Sequence, residues 1–73
     1  MTQNEADALG TLLGWEGAAR QTMPIAARDA IMAKFATEGV VDWDSVDGEW
    51  YVIDPAETAQ RITDGMAAGE LAR

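Results

Sequence analysis

The chain contains no cysteine and no histidine, and its five basic residues are outnumbered by thirteen acids. Without thiol or imidazole groups it cannot form a disulfide, a Cys or His zinc site, a thiolate nucleophile or an imidazole-based catalytic triad. No apolar run approaches the roughly 18 residues that span a membrane, and the first residues are polar and acidic, unlike a secretory signal. We therefore expect a cytoplasmic protein.

Few other catalytic groups remain. Ser45 is the only serine, and its neighbours in sequence offer no base other than ionised carboxylates. A chain of 73 residues has little room for a cleft that holds two catalytic carboxyls about 5 to 9 Å apart. The spacing Asp42-x-Asp44-x-x-Asp47 does not match a calcium-binding EF-hand loop. Counted from Asp42, the position of the loop's glycine holds Asp47, and the position of its final glutamate holds Ile53. We expect neither an enzyme nor a cofactor.

Length and composition predict one small domain, residues 1–73. Apolar residues make up 48% of the chain, which is more than a disordered segment retains. A domain of this size buries only about 60 to 65% of the surface that its unfolded chain exposes, so its stability is marginal. Since no disulfide or structural metal supplements the core, stability depends on packing, on a dimer or on a partner.

Negative charge is concentrated in one segment. Between Lys34 and Arg61 there is no Lys or Arg, although the formal net charge of the whole chain is −8. The acids of this segment are Glu38, Asp42, Asp44, Asp47, Glu49, Asp54 and Glu57. Two carboxylates about 7 Å apart repel by about 0.6 kcal/mol even in water, so such a cluster burdens a small domain and points to a basic partner. A solvated face that only keeps the protein soluble is the alternative.

The first helix is predicted to start at a capping box, Thr2-Gln3-Asn4-Glu5, or after Asn4, which together with Asp7 offers a second cap. Its buried stripe consists of Leu9, Leu12 and Leu13. Because Gly10, Gly14 and Gly17 interrupt the pattern, the helix either frays after Gly14 or packs closely against another element. We expect close packing and a helix that reaches Trp15.

Both prolines mark the start of a further helix. Pro24 is predicted at the first position of the second helix, which ends near Gly39. Its buried stripe consists of Ala27, Ile31 and Phe35. Asp54-Pro55-Ala56-Glu57 caps the third helix, which is predicted to run to about Leu71 with the stripe Ala59, Ile62 and Met66. Capping thus explains two acids of the charged segment, Asp54 and Glu57.

Between the second and third helices the apolar period changes from 3.6 to 2, which predicts a hairpin over residues 40–54. The fold is therefore predicted to be α+β, in the order α-α-β-β-α. A two-residue turn at Asp47-Gly48 would pair Trp43 with Val52 and mix acids with aromatic rings on both faces.

A three-residue loop, with Gly48 in the left-handed conformation, would instead pair Trp43 with Tyr51 and Asp44 with Trp50. One face would then carry Val41, Trp43, Tyr51 and Ile53, and the other Asp42, Asp44, Trp50 and Val52. We favour this register because it separates an apolar face from an acidic one.

The acidic side of the hairpin is the predicted binding surface. On this register Trp50 lies exposed among carboxylates, which is the usual composition of an interface anchor; burial under the third helix is its alternative. Trp43 is expected in the core. The predicted partner-binding residues are Asp42, Asp44, Asp47, Glu49, Trp50 and Glu38.

The order α-α-β-β-α resembles part of a winged helix, but a wing that carries only acids argues against DNA binding, which requires Lys and Arg. The acidic hairpin instead favours the inverse interaction, in which the protein occupies a basic groove that normally holds nucleic acid. Asp42 and Asp44 lie about 6.6 Å apart along a strand, so an anionic ribbon could meet rows of Lys and Arg that normally hold a phosphate chain.

In size, in acidity, in lacking an enzyme motif and in concentrating charge over residues 41–51, VDWDSVDGEWY, the chain resembles the small anti-CRISPR proteins of phages and related mobile elements. The resemblance covers the whole chain as a type and rests on no shared motif, because these inhibitors have none in common. It implies binding to Lys and Arg residues of a Cas7-like backbone subunit of a Cascade complex, of type I-C, and exclusion of target DNA.

The competing class is an ordinary protein-protein interaction module. An antitoxin, an immunity protein or a small structural subunit that forms a homodimer through Gly10, Leu13 and Gly14 would belong to it. Its contacts would be apolar and salt-tolerant. An acidic inhibitor would instead lose affinity as salt rises, because exposed charges are screened over about 8 Å at physiological ionic strength.

Overall fold

The computed structural model describes residues 1–15, 23–67 and 69. This part of the chain forms three helices and one antiparallel hairpin: α1 (Gln3–Leu12), α2 (Ile25–Thr37), β1 (Val41–Asp44), β2 (Glu49–Val52) and α3 (Pro55–Ala67). The predicted α+β class and the order α-α-β-β-α are confirmed. None of the described helices is both long enough and apolar enough to cross a bilayer.

Side chains cap the first and last helices as predicted. The Thr2 hydroxyl accepts a hydrogen bond from the Glu5 amide at 3.1 Å, and the Glu5 carboxylate accepts one from the Thr2 amide at 2.7 Å, which completes the capping box. Asp54 accepts a hydrogen bond from the Glu57 amide at 3.1 Å. The start of α2 is one residue later than predicted, because Pro24 has an extended ψ of 143° and is the N-cap.

The first helix ends at Leu12, so the prediction that it continues to Trp15 is wrong. Gly14 has φ +78°, and its amide donates to the Thr11 carbonyl while the Trp15 amide donates to the Gly10 carbonyl. These two hydrogen bonds form a Schellman motif, which ends a helix. Apart from its chain neighbours, no atom of the described residues lies within 4 Å of where a Cβ of Gly14 would be, so this glycine serves the backbone and not close packing. Gly17 lies outside the described residues.

The same motif ends α2 at Gly39, as predicted. Gly39 has φ +77°, and its amide donates to the Ala36 carbonyl at 3.2 Å. The next amide, of Val40, donates to the Phe35 carbonyl at 2.9 Å. The chain therefore leaves α2 in a fixed direction and enters β1 two residues later.

A Gly39→Ala variant is expected to lose about 1 to 2 kcal/mol of unfolding free energy, because the left-handed conformation strains an L residue by about that amount. The new Cβ would meet no atom of the described residues beyond its chain neighbours, so the loss is attributed to the backbone. Urea unfolding followed by circular dichroism measures it. The control is chemically synthesised protein with D-alanine at position 39, which favours positive φ and should keep parental stability. Equal losses in both proteins would contradict the backbone explanation.

The core lies where the three helices meet β1. Its largest fully buried side chains are Phe35, Leu9, Met32, Ile62 and Val41. Leu9 comes from the stripe predicted for α1, while Leu12 and Leu13 are partly buried against the core. The hairpin joins the core through one side only, with β1 against α2 and β2 against α1.

The buried stripes of α2 and α3 differ from the predictions. α2 buries Met32 and Phe35, whereas Ala27 is exposed. α3 buries Thr58, Ile62 and Gly65, whereas Met66 is 60% exposed. Alanines are spread around α2, so the period of its apolar residues does not select one face. The predicted end of α3 near Leu71 lies outside the described residues.

Candidate functional site: the acidic hairpin

The two strands are joined by a four-residue loop, residues 45–48, and pair in a register that differs from both predictions. The pairs are Val41 with Val52, Asp42 with Tyr51, Trp43 with Trp50, and Asp44 with Glu49. Trp43 therefore lies opposite Trp50, and neither Val52 nor Tyr51 is its partner. Gly48 nevertheless has the predicted left-handed conformation, with φ +70°.

Asp44 organises this loop and explains its length. Its Oδ1 accepts hydrogen bonds from the amides of Val46 at 2.9 Å and Asp47 at 3.1 Å. Its carbonyl accepts a third from the Gly48 amide at 2.7 Å. A short Asp side chain that bonds amides two and three residues later stabilises a turn of its own. The Asp44 carboxylate thus has a structural role that the sequence analysis did not assign to it.

The observed register brings four polar side chains onto one face of the hairpin. Because side chains alternate along a strand and register fixes which ones are opposite, this face carries Asp42, Asp44, Glu49 and Tyr51. We call these four residues the acidic face. Three predicted site residues therefore lie together, and Asp47 lies next to them in the exposed loop.

Trp50 does not lie on the acidic face, so its prediction as an exposed anchor there is wrong. It lies on the opposite face, partly buried against the core. Its ring meets the Trp43 ring edge to face, with centroids 5.2 Å apart and an angle of 72° between the planes. Trp43 was expected in the core but is 48% exposed. The two rings stabilise the hairpin as a cross-strand pair.

Tyr51 is the aromatic residue of the acidic face, and the sequence analysis missed it as a site residue. It is 45% exposed, and its hydroxyl donates to Asp42 Oδ2 at 3.4 Å. The Asp42 Oδ1 accepts a hydrogen bond from the Trp43 amide at 2.8 Å. Both oxygens of Asp42 thus have a donor, which fixes the carboxylate beside the Tyr51 ring. Only the register decides whether position 50 or 51 faces the acids.

Glu38 lies apart from the acidic face. Arg61 of α3 approaches its carboxylate at 3.7 Å, and both side chains are well exposed. Lys34 pairs in the same way with an acid outside the hairpin, because its ammonium donates to Glu5 of α1. Within the described residues, no ion pair joins a Lys or Arg to an acid of the hairpin.

Glu5 is held by hydrogen bonds from its own helix cap and from α2. The hydrogen bond from Lys34 lowers the pKa of this carboxyl below its usual value of 4.5; burial raises it, and the hydrogen bond from the Thr2 amide lowers it further. The same contact with Glu5 raises the pKa of Lys34. The pair ties α1 to α2 from the side of the capping box.

This pair is expected to make stability depend on acid pH. Because the folded pKa of Glu5 lies below its unfolded value, its contribution is complete well above pH 4.5 and is lost as pH falls through the folded pKa. Urea unfolding of the parent and of Glu5→Gln between about pH 7 and pH 2 measures the loss. The difference in unfolding free energy between the two proteins should shrink as pH falls. A difference that is constant with pH would contradict the assignment.

Neither a metal site within the described residues nor a known family accounts for the acidic face. Among the residues that the structure describes, no three acids come together as ligands for a metal ion. Comparison with protein-family models, with curated proteins and with solved structures finds no match to this chain. What characterises the site is thus its own geometry, which is three carboxylates and one phenol on a two-stranded ribbon with an apolar reverse face.

Proposed function

We propose that the protein is an anti-CRISPR-like inhibitor that binds a basic nucleic-acid-binding surface through the acidic face and blocks binding of target DNA. Its main support is that no described Lys or Arg pairs with an acid of the hairpin, while Lys34 and Arg61 pair with Glu5 and Glu38. Carboxylates that lack internal cations gain most from external ones. The partner implied by the resemblance is the Cas7-like backbone subunit of a type I-C Cascade complex, in the cytoplasm.

The acids of the hairpin have different roles in this proposal. Asp42, Glu49 and Asp47 are exposed and supply the anions that contact the partner. Asp44 contributes charge but mainly holds the loop. Glu38 contributes least, because Arg61 already lies beside it.

Tyr51 replaces Trp50 as the aromatic contact of the proposed interface. A Lys or Arg side chain that meets Asp42 or Glu49 also lies near the Tyr51 ring. A cation over an aromatic face gains about 0.5 to 2 kcal/mol, depending on how far it is removed from water. Trp50 supports the same surface from the reverse face, where it packs on Trp43.

The direct test uses purified type I-C Cascade with its guide RNA and a labelled target duplex. At about 0.1 M salt, one equivalent of the protein per binding site should prevent the duplex from binding. Binding of the protein to Cascade without DNA, measured by interferometry, should weaken strongly near 0.5 M salt, where the screening length falls below about 5 Å. Normal duplex binding in the presence of excess protein would contradict the proposal.

The competing function as an apolar interaction module has one observation in its favour. Ile25 at the start of α2 is 68% exposed and lies with the exposed Trp43 along a groove of about 420 Å³ that α1, α2 and the hairpin line together. A partner bound there would be held by apolar contacts and would persist at 0.5 M salt, since screening acts on charges alone. The same interferometry at two salt concentrations therefore separates the two functions.

A further inference from the structure

The outer edge of β2 carries backbone groups that β1 does not use. The Ile53 amide donates to the Val40 carbonyl at 3.0 Å, which makes these two residues a hydrogen-bonded pair. Hydrogen-bonded pairs alternate along an antiparallel ladder, so Asp42–Tyr51 and Asp44–Glu49 are also hydrogen-bonded pairs. The amides and carbonyls of Trp50 and Val52 therefore point away from β1. Within the described residues they have no backbone partner in another element.

A groove of about 440 Å³ runs along this edge. One side is formed by the four consecutive residues of β2, Glu49–Val52, and the other by Thr11, Leu12, Leu13 and Pro55. Consecutive strand residues point to opposite faces, so a groove over one face would be lined by alternate residues only. Lining by all four is what a groove along the backbone edge would have.

The outer edge of β1 is different. The Trp43 amide, which also points away from the ladder, donates to Asp42 Oδ1 at 2.8 Å. A strand that added to β1 would have to displace this hydrogen bond and approach the carboxylate, which is how proteins protect an edge. No comparable side-chain bond reaches Trp50 or Val52 among the described residues. As far as the described residues show, the edge of β2 is therefore the one open to strand addition.

We propose that the basic partner presents an extended segment that pairs with the outer edge of β2 as a third strand. This inference rests on the proposed function, because it uses the same partner. A third strand would lie about 4.8 Å from β2, and its alternate side chains would fall beside Glu49 and Tyr51 on the acidic face. Lys or Arg at those positions would meet the carboxylates. The intervening apolar side chains would enter the groove beside Leu12 and Leu13.

Charge selects a basic segment over a second copy of this chain. Each copy has a formal net charge of −8, and pairing β2 with β2 would bring two acidic faces into one sheet. Like charges across neighbouring strands are destabilising. An extended segment with alternating basic and apolar side chains complements both the acidic face and the groove. Main-chain hydrogen bonds would supply affinity, and the alternating side chains would supply specificity.

The probe is a capped six-residue peptide with alternating Lys and Val, added to the nitrogen-15-labelled full chain at low salt. We expect amide hydrogen exchange of Trp50 and Val52 to slow by about tenfold when free peptide is about nine times its dissociation constant. The amides of Glu49 and Tyr51, already paired with β1, should change far less. Unchanged exchange at Trp50 and Val52 with millimolar peptide would overturn strand addition.

Backbone methylation provides the matched control. One peptide is N-methylated at its three Val residues and a second at its three Lys residues, with no change in charge. Since the two sets of amides point to opposite edges of an extended strand, only one of these peptides should lose the protection of Trp50 and Val52. Equal protection by both would overturn the inference.

Two further outcomes separate this inference from the proposed function. If the peptide changes the chemical shifts of the Asp42 and Tyr51 amides but leaves the Trp50 and Val52 amides unprotected, strand addition fails while the acidic face remains a binding surface. If those amides become protected without peptide as protein concentration rises, the occupant is a second copy and the inference is overturned. Failure of the proposed function itself appears independently, as normal duplex binding by Cascade in the presence of excess protein.

Discussion

An Asp42→Asn/Glu49→Gln variant is expected to bind type I-C Cascade at least about 100-fold more weakly than the parent at low salt. The change removes two charges that the fold leaves exposed and without a described cationic partner. Close charge pairs across an interface contribute about 1.5 kcal/mol or more each, and two such losses give roughly this factor. Interferometry with immobilised Cascade measures the change in dissociation constant.

The matched control neutralises one Asp and one Glu on α3. Glu57→Gln/Asp64→Asn removes the same charge from exposed positions away from the hairpin and should reduce binding by only a few-fold, through the change in net charge. Equal loss in both variants would show that net charge alone matters. Parental binding by the Asp42→Asn/Glu49→Gln variant would show that the acidic face only keeps the protein soluble.

The choice of substitutions follows from the hydrogen bonds. Asn at position 42 keeps an oxygen that can accept the Trp43 amide, so the variant should fold normally and gain slightly in stability as repulsion falls. Asp44 is left unchanged because its carboxylate holds two loop amides. A charge-reversing Asp44→Lys change would therefore combine loss of binding with damage to the hairpin. Urea unfolding of each variant checks that only binding has changed.

Phe35→Ala is expected to lower the unfolding free energy by about 3 to 5 kcal/mol, which leaves the chain largely unfolded if its stability is near the lower limit for this length. Phe35 is 1% exposed at the centre of the core and is the largest of its fully buried side chains. Truncating a buried Phe costs about 3 to 5 kcal/mol. The whole unfolding free energy of a domain of this length is about 4 to 11 kcal/mol. Circular dichroism and urea unfolding measure the loss.

Ile25→Ala is the control for this core prediction. Ile25 is largely exposed, so its truncation should change the unfolding free energy by no more than about 0.5 kcal/mol. A Phe35→Ala protein with parental stability would mean that the three helices do not meet at this side chain. Equal losses in the two variants would indicate that the apolar surface at the start of α2 is buried, for example in a dimer.

Local signals in the sequence were sufficient for the starts of α1 and α3 and for the end of α2. Thr2 with Glu5, and Asp54 with Glu57, form hydrogen bonds within one helical turn, so their recognition requires no knowledge of the rest of the fold. Gly39 ends α2 for the same reason, since its left-handed conformation is a property of one residue. These short-range interactions also gave the order of the elements.

The site was predicted only in part. Asp42 and Asp44 share a face as expected, because alternation within one strand is independent of the partner strand. Glu49 joins them only in the observed register, since the favoured register placed it on the opposite face. Trp50 and Tyr51 exchanged places, because their assignment depends on register, and the loop contains one residue more than predicted. The Asp44 carboxylate that stabilises this longer loop was counted in the sequence analysis only as surface charge.

The sequence by itself determined the element order, the caps at the starts of α1 and α3, the end of α2 at Gly39 and the concentration of acids in one hairpin. These features follow from interactions within a few residues or from composition alone. Only the tertiary structure decided which stripe of α2 and α3 is buried, which aromatic ring faces the acids and which cations are already paired. Those outcomes depend on contacts between elements distant in sequence, such as Glu5 with Lys34 and Glu38 with Arg61, and the apolar pattern of an alanine-rich chain permits several of them.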